Sequence, residues 1–444
     1  MVHSSSRRSA GLLLLLALAA GCRPRVGDQA VARPNVLLIS IDALRADRLG
    51  TYGHTRPTSP FLDELARSGT VYERAFVATH GTTPSHTTML SGLYQEAHGV
   101  GLERMAQGVV DVGIPDAVPL VQEQLRAAGY STIGITDGGN IGRRFGFSRG
   151  FDRFDDKGGG LARTAPLLVS ELARARQAHP GRPVFAFLHT YDVHSPYRPP
   201  PEARAALAIP ESVANAHTRF LLRNSRNPAA MGASRLAEVS ALYDAEIRDV
   251  DRHLRALFDA LEADDFLDHA LVLITSDHGE EFGEHGGLLH GAKLYDELMR
   301  VPLLVVGERI SRGERRSRLI SAVDLVPSIL DHVGVARSSP LVGRPFLGPA
   351  ALERVAAVLA QYGRRLYAVR TERWKLIQHD TGRFELYDLV ADPREKSNVA
   401  QQHGDVRARL AGVIARFRES QARVAGTAPA VVLAEGAAGE LAQG

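Results

Sequence analysis

The 444-residue chain contains one cysteine, Cys22, so no disulfide can form within it. The apolar run from Leu12 to Ala20 is too short to span a bilayer. The net charge is only +3, and the basic residues are scattered and almost all arginine, which argues against a nucleic-acid partner. No internal repeat is present. With 44% hydrophobic residues, the chain still has enough apolar material for one large domain and a smaller one.

The N-terminus has the layout of a secretory signal, because Arg7 and Arg8 precede the apolar run. The residues that follow, from Leu18 to Cys22, resemble a bacterial lipobox. The resemblance implies a lipoprotein signal peptide over residues 1–22, with Cys22 retained and lipidated. The protein would then be membrane-anchored in the bacterial cell envelope, facing the periplasm or the exterior. The alternative is a plain cleaved signal, which leaves Cys22 as an odd free thiol.

Four apolar runs end in polar residues that can carry chemistry. They lead to Asp42, to Asp137, to His189 and to the pair Asp277 and His278. Such runs are typical of buried parallel strands, and open α/β sheets bind ligands at the carboxyl ends of their strands. The pattern therefore predicts an α/β fold with a site at this edge of the sheet. For Asp42 the alternative is a cap on the following turn. From Leu236 onward the apolar spacing predicts a long amphipathic helix packed on the sheet, with no catalytic residue.

The stretch from His80 to Gly92 reads as a helix start beside an anion site. Pro84 suits the first helical position, Thr83 is a good N-cap, and Gly92 suits the helix end. A helix N-terminus offers unpaired N–H groups and partial positive charge to a sulfate or phosphate. An ordinary capped helix is the alternative.

The frame Thr82-Thr83-Pro84-Ser85-His86 resembles the sulfatase signature, in which Cys or Ser is followed by any residue, Pro, Ser and Arg. The block from Ser276 to Gly286 resembles a second motif of that family. The resemblance implies membership of the sulfatases within the alkaline phosphatase superfamily. It implies a large mixed, mostly parallel sheet flanked by helices, with a smaller C-terminal α+β subdomain. The expected boundaries are a catalytic domain over 34–345, a subdomain over 350–422 and a disordered tail over 423–444.

The same resemblance assigns the site. One divalent cation is expected, Ca²⁺ by family resemblance with Mn²⁺, Zn²⁺ or Mg²⁺ open, and the implied ligands are Asp42, Thr82, Asp277 and His278. Thr82 occupies the place of the residue that becomes formylglycine, and no formylglycine is expected there, because a threonine would have to be oxidised to a ketone. The residues implied to act on the substrate are Thr82, His86 in the place of the Arg, Asn140, His194, His290 and Lys293. Asn140 could instead be a turn residue, and a metal role for His194 with Asp192 is a further alternative.

These residues predict a hydrolase of a sulfuric or phosphoric ester, on a small molecule or a glycan. Thr82 as nucleophile also resembles the phosphodiesterases and phosphoryl-group transferases of the superfamily, which is the first alternative. A catalytically silent binding protein that keeps the fold is the second. The oligomeric state is left open.

Overall fold

The computed structural model describes residues 1, 33–101, 113–337, 341–347, 358–362 and 365–426. By its contacts the chain divides into Met1–Ala32 and Arg33–Gly444, and the fold below belongs to the second unit. The predicted signal peptide and Cys22 lie outside the described residues, as do the predicted boundary near 349 and residues 427–444. Among the described helices, none combines the length and apolar character needed to cross a bilayer.

The described residues form a nine-stranded sheet, a four-stranded sheet and a two-stranded sheet. The nine-stranded sheet carries the candidate site, and the strands of all three sheets are numbered together. The strands in chain order are β1 Asn35–Ile41, β2 Thr70–Phe76, β3 Ser131–Ile135, β4 Arg153–Asp155, β5 Val184–Thr190, β6 Ala270–Thr275, β7 Glu281–Phe282, β8 Leu288–Leu289, β9 Arg300–Val301, β10 Leu303–Gly307, β11 Glu314–Ser321, β12 Val358–Tyr362, β13 Leu366–Arg370, β14 Trp374–His379 and β15 Phe384–Asp388. The sheet order is β11-β2-β10-β6-β1-β5-β3-β4, with β9 paired to β2. Strands β6, β1, β5, β3 and β4 run parallel, whereas β10 is antiparallel to both of its neighbours. The predicted mixed, mostly parallel sheet is confirmed.

Helices cover both faces of this sheet. Their bounds are α1 Pro60–Leu65, α2 Thr82–Ser91, α3 Gln95–His98, α4 Val121–Ala127, α5 Gly160–Ala178, α6 Pro201–Ala206, α7 Thr218–Asn224, α8 Ala233–Ala263, α9 Asp296–Met299, α10 Leu325–His332 and α11 Gly404–Gly426. Successive β1 residues point to opposite faces, so Leu37 and Ile39 join one core cluster with α5 and α8, and Val36 and Leu38 join the other. Because β1 is buried on both faces, its sequence is continuously apolar.

Helix α2 begins two residues earlier than the sequence predicts. Its first residue is Thr82, with Gly81 before it at φ 95°, so Pro84 is its third residue and Thr83 is not the N-cap. The reason is that Gly81 adopts a left-handed φ, which turns the chain into the helix without a side-chain cap. Gly92 ends the helix at φ 71°, as predicted.

The C-terminal part is an antiparallel sheet, β12-β13-β14-β15, with α11 packed beside it. This confirms the predicted α+β subdomain. Helix α11 continues to Gly426, past residue 423 where the sequence predicts the tail to begin.

Candidate active site

Three buried side chains converge at the carboxyl edge of the sheet. Asp42 follows β1, and Asp277 and His278 follow the adjacent β6; all three are 0% exposed. One ligand atom from each residue lies within 4.8 Å of the other two. His278 Nε2 is 3.8 Å from Asp42 Oδ1 and 3.4 Å from Asp277 Oδ2. None of these three atoms has a hydrogen-bond partner in the described part of the chain. Buried polar atoms without partners are costly, and two carboxylates with one imidazole are a ligand set that divalent cations accept. The donor set therefore fits a metal ion.

The electrostatics of the cluster agree with this fit. Burial, together with the nearby Asp42 carboxylate, raises the pKa of Asp277 to about 7. Burial, together with His290, lowers the pKa of His278 to about 4. A divalent cation held by these atoms would offset the repulsion between the carboxylates and keep both of them ionised.

The neighbours of the three ligands fix their orientation. His278 Nδ1 donates to the carbonyl oxygen of Gly279 at 2.9 Å, so its Nε2 carries the lone pair that faces the cluster. The second oxygen of Asp277 accepts a hydrogen bond from the Ala43 N–H at 3.2 Å. The second oxygen of Asp42 lies 3.4 Å from His189 Nε2, which places His189 behind the cluster as a supporting residue.

The first turn of α2 is attached to the same cluster. Ser85 Oγ donates to the backbone oxygen of Asp277 at 2.6 Å. His86 lies with Nδ1 2.8 Å from the Thr82 carbonyl oxygen and 3.5 Å from Asp277 Oδ2. Thr82 is 6% exposed at the helix start. The first turn of the helix that begins at Thr82 is thus attached to Asp277 through Ser85 and His86, and His86 is wholly buried.

Asn140 lies against the start of α2. Its carbonyl oxygen accepts the Thr83 hydroxyl at 2.8 Å, and its N–H donates to Tyr191 Oη at 3.1 Å. Its side chain is half-buried. The backbone carbonyl and N–H of Asn140 are thus both hydrogen-bonded, and these contacts place the residue beside the helix start.

His290 and His194 form a second layer on the cluster. The rings of His278 and His290 lie 4.4 Å apart, and the rings of His290 and His194 lie 4.9 Å apart. His290 Nδ1 is 2.9 Å from Glu280 Oε1. Burial lowers the pKa of His290, but the Glu280 carboxylate more than reverses this and raises it to about 9. His194 Nδ1 donates to the Ser195 carbonyl oxygen at 2.7 Å.

The structure places two predicted residues elsewhere. Lys293 donates to both oxygens of Glu281, at 2.9 and 2.7 Å, and to the His285 carbonyl oxygen at 2.8 Å, so these three contacts match its three N–H donors. Asp192 accepts from the Leu161 N–H at 2.6 Å, at the start of α5. Neither belongs to the three-residue cluster.

Tyr243 on α8 supports the site, although the sequence predicts only an amphipathic helix there, with no catalytic residue. Its hydroxyl donates to the Ala43 carbonyl oxygen at 2.7 Å and accepts from the Arg45 N–H at 2.9 Å. Ala43 follows Asp42 directly in the chain and has φ 58°, a left-handed conformation that is costly for alanine. The only sequence signal was a tyrosine hydroxyl on the buried face of an amphipathic helix.

A mixed, mostly parallel α/β sheet with a buried Asp-Asp-His cluster at its edge is an arrangement of the sulfatase class within the alkaline phosphatase superfamily. The family model "Sulfatase" matches residues 34–335, and "N-sulphoglucosamine sulphohydrolase, C-terminal" matches residues 283–420. The chain belongs to the sulfatase family.

The curated relatives match over a limited part of their length. Arylsulfatase K of Gallus gallus is 32% identical over 181 residues, which is 36% of this chain and 34% of that protein. Choline-sulfatase of Rhizobium meliloti is 31% identical over 171 residues, which is 36% of this chain and 32% of that protein. These matches thus cover about a third of each relative.

Solved structures resemble the chain over most of its length. The phosphonate monoester hydrolase of Agrobacterium radiobacter aligns with a TM-score of 0.71 and 21% identity, over 88% of this chain and 96% of that one. A protein in complex with its substrate D-glucosamine-2-N,6-O-disulfate aligns with a TM-score of 0.69 and 19% identity, over 88% and 98%. At these identities the likeness establishes the fold.

Proposed function

We propose that the protein is a metal-dependent hydrolase of a sulfuric or phosphoric ester, with Thr82 as the nucleophile. The observation that carries the proposal is the convergence of three buried ligand atoms without partners in the described residues, with the first turn of α2 attached to one of them, Asp277, through Ser85 and His86. A binding protein without catalysis would not need two buried carboxylates kept so close together, because their repulsion costs stability. The intact cluster therefore favours an enzyme over a silent relative.

Asp42, Asp277, His278 and the Thr82 hydroxyl would hold the cation. When bound, the cation would lower the pKa of the hydroxyl and stabilise negative charge on the ester. The start of α2 offers backbone N–H groups to the ester oxygens, and His290, with His194 beside it, stands over the cluster as a donor. His86 would hold the first turn of α2 in place.

The chemistry would proceed in two displacements. The Thr82 hydroxyl gives up its proton as its oxygen bonds to the sulfur or phosphorus atom. The bond to the alcohol oxygen breaks, and that oxygen takes up a proton and leaves as the alcohol. Water then cleaves the ester on Thr82, which restores the hydroxyl and releases sulfate or phosphate. A phosphodiesterase or phosphoryl-group transferase would share the first displacement and differ in the acceptor.

The comparisons support two substrate classes. The names arylsulfatase K and choline-sulfatase, and the bound disulfated glucosamine, favour a sulfate ester of a small molecule or a glycan. The phosphonate monoester hydrolase likeness and the threonine at position 82 favour a phosphorus ester. We propose the sulfate ester first, because the family model is that of the sulfatases.

Purified protein assayed on nitrophenyl sulfate, nitrophenyl phosphate and bis-nitrophenyl phosphate tests the proposal. At least one ester should be cleaved with divalent cation and none with chelator. Thr82→Ala should reduce the rate by about a thousandfold or more, whereas Thr82→Ser should stay within about tenfold, because the hydroxyl survives. Thr83→Ala is the matched control and should stay within about threefold, since that hydroxyl binds Asn140. Wild-type rates in Thr82→Ala on every cleaved ester would refute the nucleophile.

A further inference from the structure

The segment from His285 to Asp296 carries His290, and both of its ends are bound by one residue of the C-terminal part of the chain. The backbone oxygen of Glu395 accepts a hydrogen bond from His285 Nε2 at 2.9 Å. The side chain of Glu395 accepts a second from the Asp296 N–H, which lies 2.7 Å from Oε2. A single residue 110 positions from His285 in the sequence therefore brackets the segment.

Glu395 itself is held in an unusual state. It is 1% exposed and has φ 56°, a left-handed conformation that favours glycine. Such residues are costly and persist where the surrounding structure fixes them. From this one residue the backbone carbonyl and the side chain reach two different sites on the segment.

A buried charge cluster holds Glu395 from the other side. Lys375 on β14 lies with Nζ 2.7 Å from Glu395 Oε1 and 2.8 Å from Asp296 Oδ1. Arg370 on β13 adds a contact of 3.1 Å to the second oxygen of Asp296. Two acids and two bases thus balance in charge, and they join the subdomain sheet to the end of the segment.

Polar and apolar contacts both join the segment to the subdomain. The Tyr295 hydroxyl donates to Glu385 Oε2 at 2.6 Å, and Leu294 shares a buried core cluster with Tyr387. A cavity of about 470 Å³ is lined in part by Asp296, Glu297 and residues 393–396. His290 itself pairs with Glu280, which lies outside the segment, at 2.9 Å.

We propose that Glu395 is a positioning residue, which fixes the segment 285–296 and so holds His290 over His278 and beside His194. The inference rests on the proposed function, in that a tetrahedral anion is the group that His290 would meet. Through Glu395 the C-terminal subdomain would take part in substrate binding, although the cluster of candidate metal ligands in the described residues consists only of Asp42, Asp277 and His278.

The test compares Glu395→Asn with Glu372→Asn in the full-length protein. Asparagine tolerates a left-handed φ but is too short to reach the Asp296 N–H, whereas glutamine would keep that acceptor. Glu372 is the matched control, because its side chain is 75% exposed in the same subdomain and pairs only with Arg74 in the described structure. In Glu395→Asn, amide hydrogen exchange in 285–296 should rise at least about tenfold, with protection in β1 and β6 unchanged. For the ester that wild type cleaves, KM should rise at least about tenfold with kcat within about threefold, and bound metal should not change. Glu372→Asn should match wild type throughout.

Unchanged exchange in 285–296 would overturn the proposal, as would faster exchange with unaltered KM. If Glu395→Asn does not fold, Glu395→Gly takes its place, since glycine tolerates a left-handed φ and has no side chain to reach Asp296. If wild type cleaves none of the esters, the proposed function fails, and the affinities for inorganic sulfate and inorganic phosphate replace KM. A tenfold weaker affinity would then support the positioning role, and an equal affinity would refute it.

Discussion

The imidazole of His86 donates its Nδ1–H to the carbonyl oxygen of Thr82, 2.8 Å away and one helical turn earlier. Its Nε2 lies 2.9 Å from the Ser40 hydroxyl, which donates to it. Burial, with His189 close by, lowers the pKa of His86 to about 4, although Asp277 raises it in part. His86, in the place of the signature arginine, is therefore neutral, and its two hydrogen bonds connect β1 to the start of α2.

His86→Ala should lower the free energy of unfolding by about 2–4 kcal/mol, because it leaves a cavity and removes the acceptor of the buried Ser40 hydroxyl. Ser40→Ala should cost only about 1 kcal/mol. Urea denaturation of the two variants measures the difference. Equal stability of wild type and His86→Ala would show that the ring does not brace the helix.

Asp277→Asn should abolish stoichiometric metal binding, measured by elemental analysis after dialysis, because one of the two ligand carboxylates loses its charge. Chelator should lower the Tm of wild type and leave that of Asp277→Asn unchanged. Asp192→Asn is the control, since Asp192 holds the start of α5, and it should keep full metal content. Full metal content in Asp277→Asn would contradict the assigned site.

Tyr243→Phe should weaken the affinity for divalent cation by about 10-fold, since outer contacts of this kind orient metal ligands. The physical reason is that the Ala43 carbonyl and the Arg45 N–H lose their shared hydroxyl partner next to Asp42. Tyr52→Phe removes a hydroxyl that accepts a hydrogen bond from the Leu303 N–H at 2.8 Å, not one that binds the backbone next to Asp42, and serves as the control. Calorimetric titration of metal into both variants should show a loss only in the first.

His98 should make stability fall with acid. Its ring is 1% exposed, Nδ1 accepts from the Val100 N–H at 3.1 Å, and burial lowers its pKa to about 3. The unfolded state, with a pKa of about 6.5, binds more protons between these values, so stability is full above about pH 6.5 and declines toward pH 3. The decline is up to about 1.4 kcal/mol per pH unit. His98→Gln keeps both a hydrogen-bond donor and an acceptor but does not titrate. Its free energy of unfolding, measured by denaturation across this pH range, should therefore fall less steeply with acid than that of wild type. Parallel curves of unfolding free energy against pH for the two proteins would exclude His98 as the cause.

We propose from the lipobox resemblance that Cys22, which lies outside the described residues, carries the lipid that anchors the mature protein to a bacterial membrane. Cys22→Ala should move the protein from the membrane fraction to the soluble fraction, as followed by immunoblot. Ser40 lies in the folded domain, so Ser40→Ala should leave the distribution unchanged. Retention of Cys22→Ala on the membrane would refute the lipoprotein.

The sequence by itself determined the strands and the family. The apolar runs before Asp42 and Asp277 predicted β1 and β6, because a strand buried on both faces must be apolar throughout. The motif around Thr82 predicted α2 and its end at Gly92, although Gly81 moved the start by two residues. These features are local, and each depends on a short stretch of chain.

Only the tertiary structure decided which partners the polar side chains have. Lys293 binds Glu281 at 2.7 Å, Tyr243 reaches the Ala43 carbonyl at 2.7 Å, and Glu395 reaches Asp296 at 2.7 Å. The Tyr243 and Glu395 contacts join residues 200 and 99 positions apart. Which long-range pair forms depends on how the sheet and the C-terminal subdomain pack, and periodicity or motif spacing carries no information about that packing.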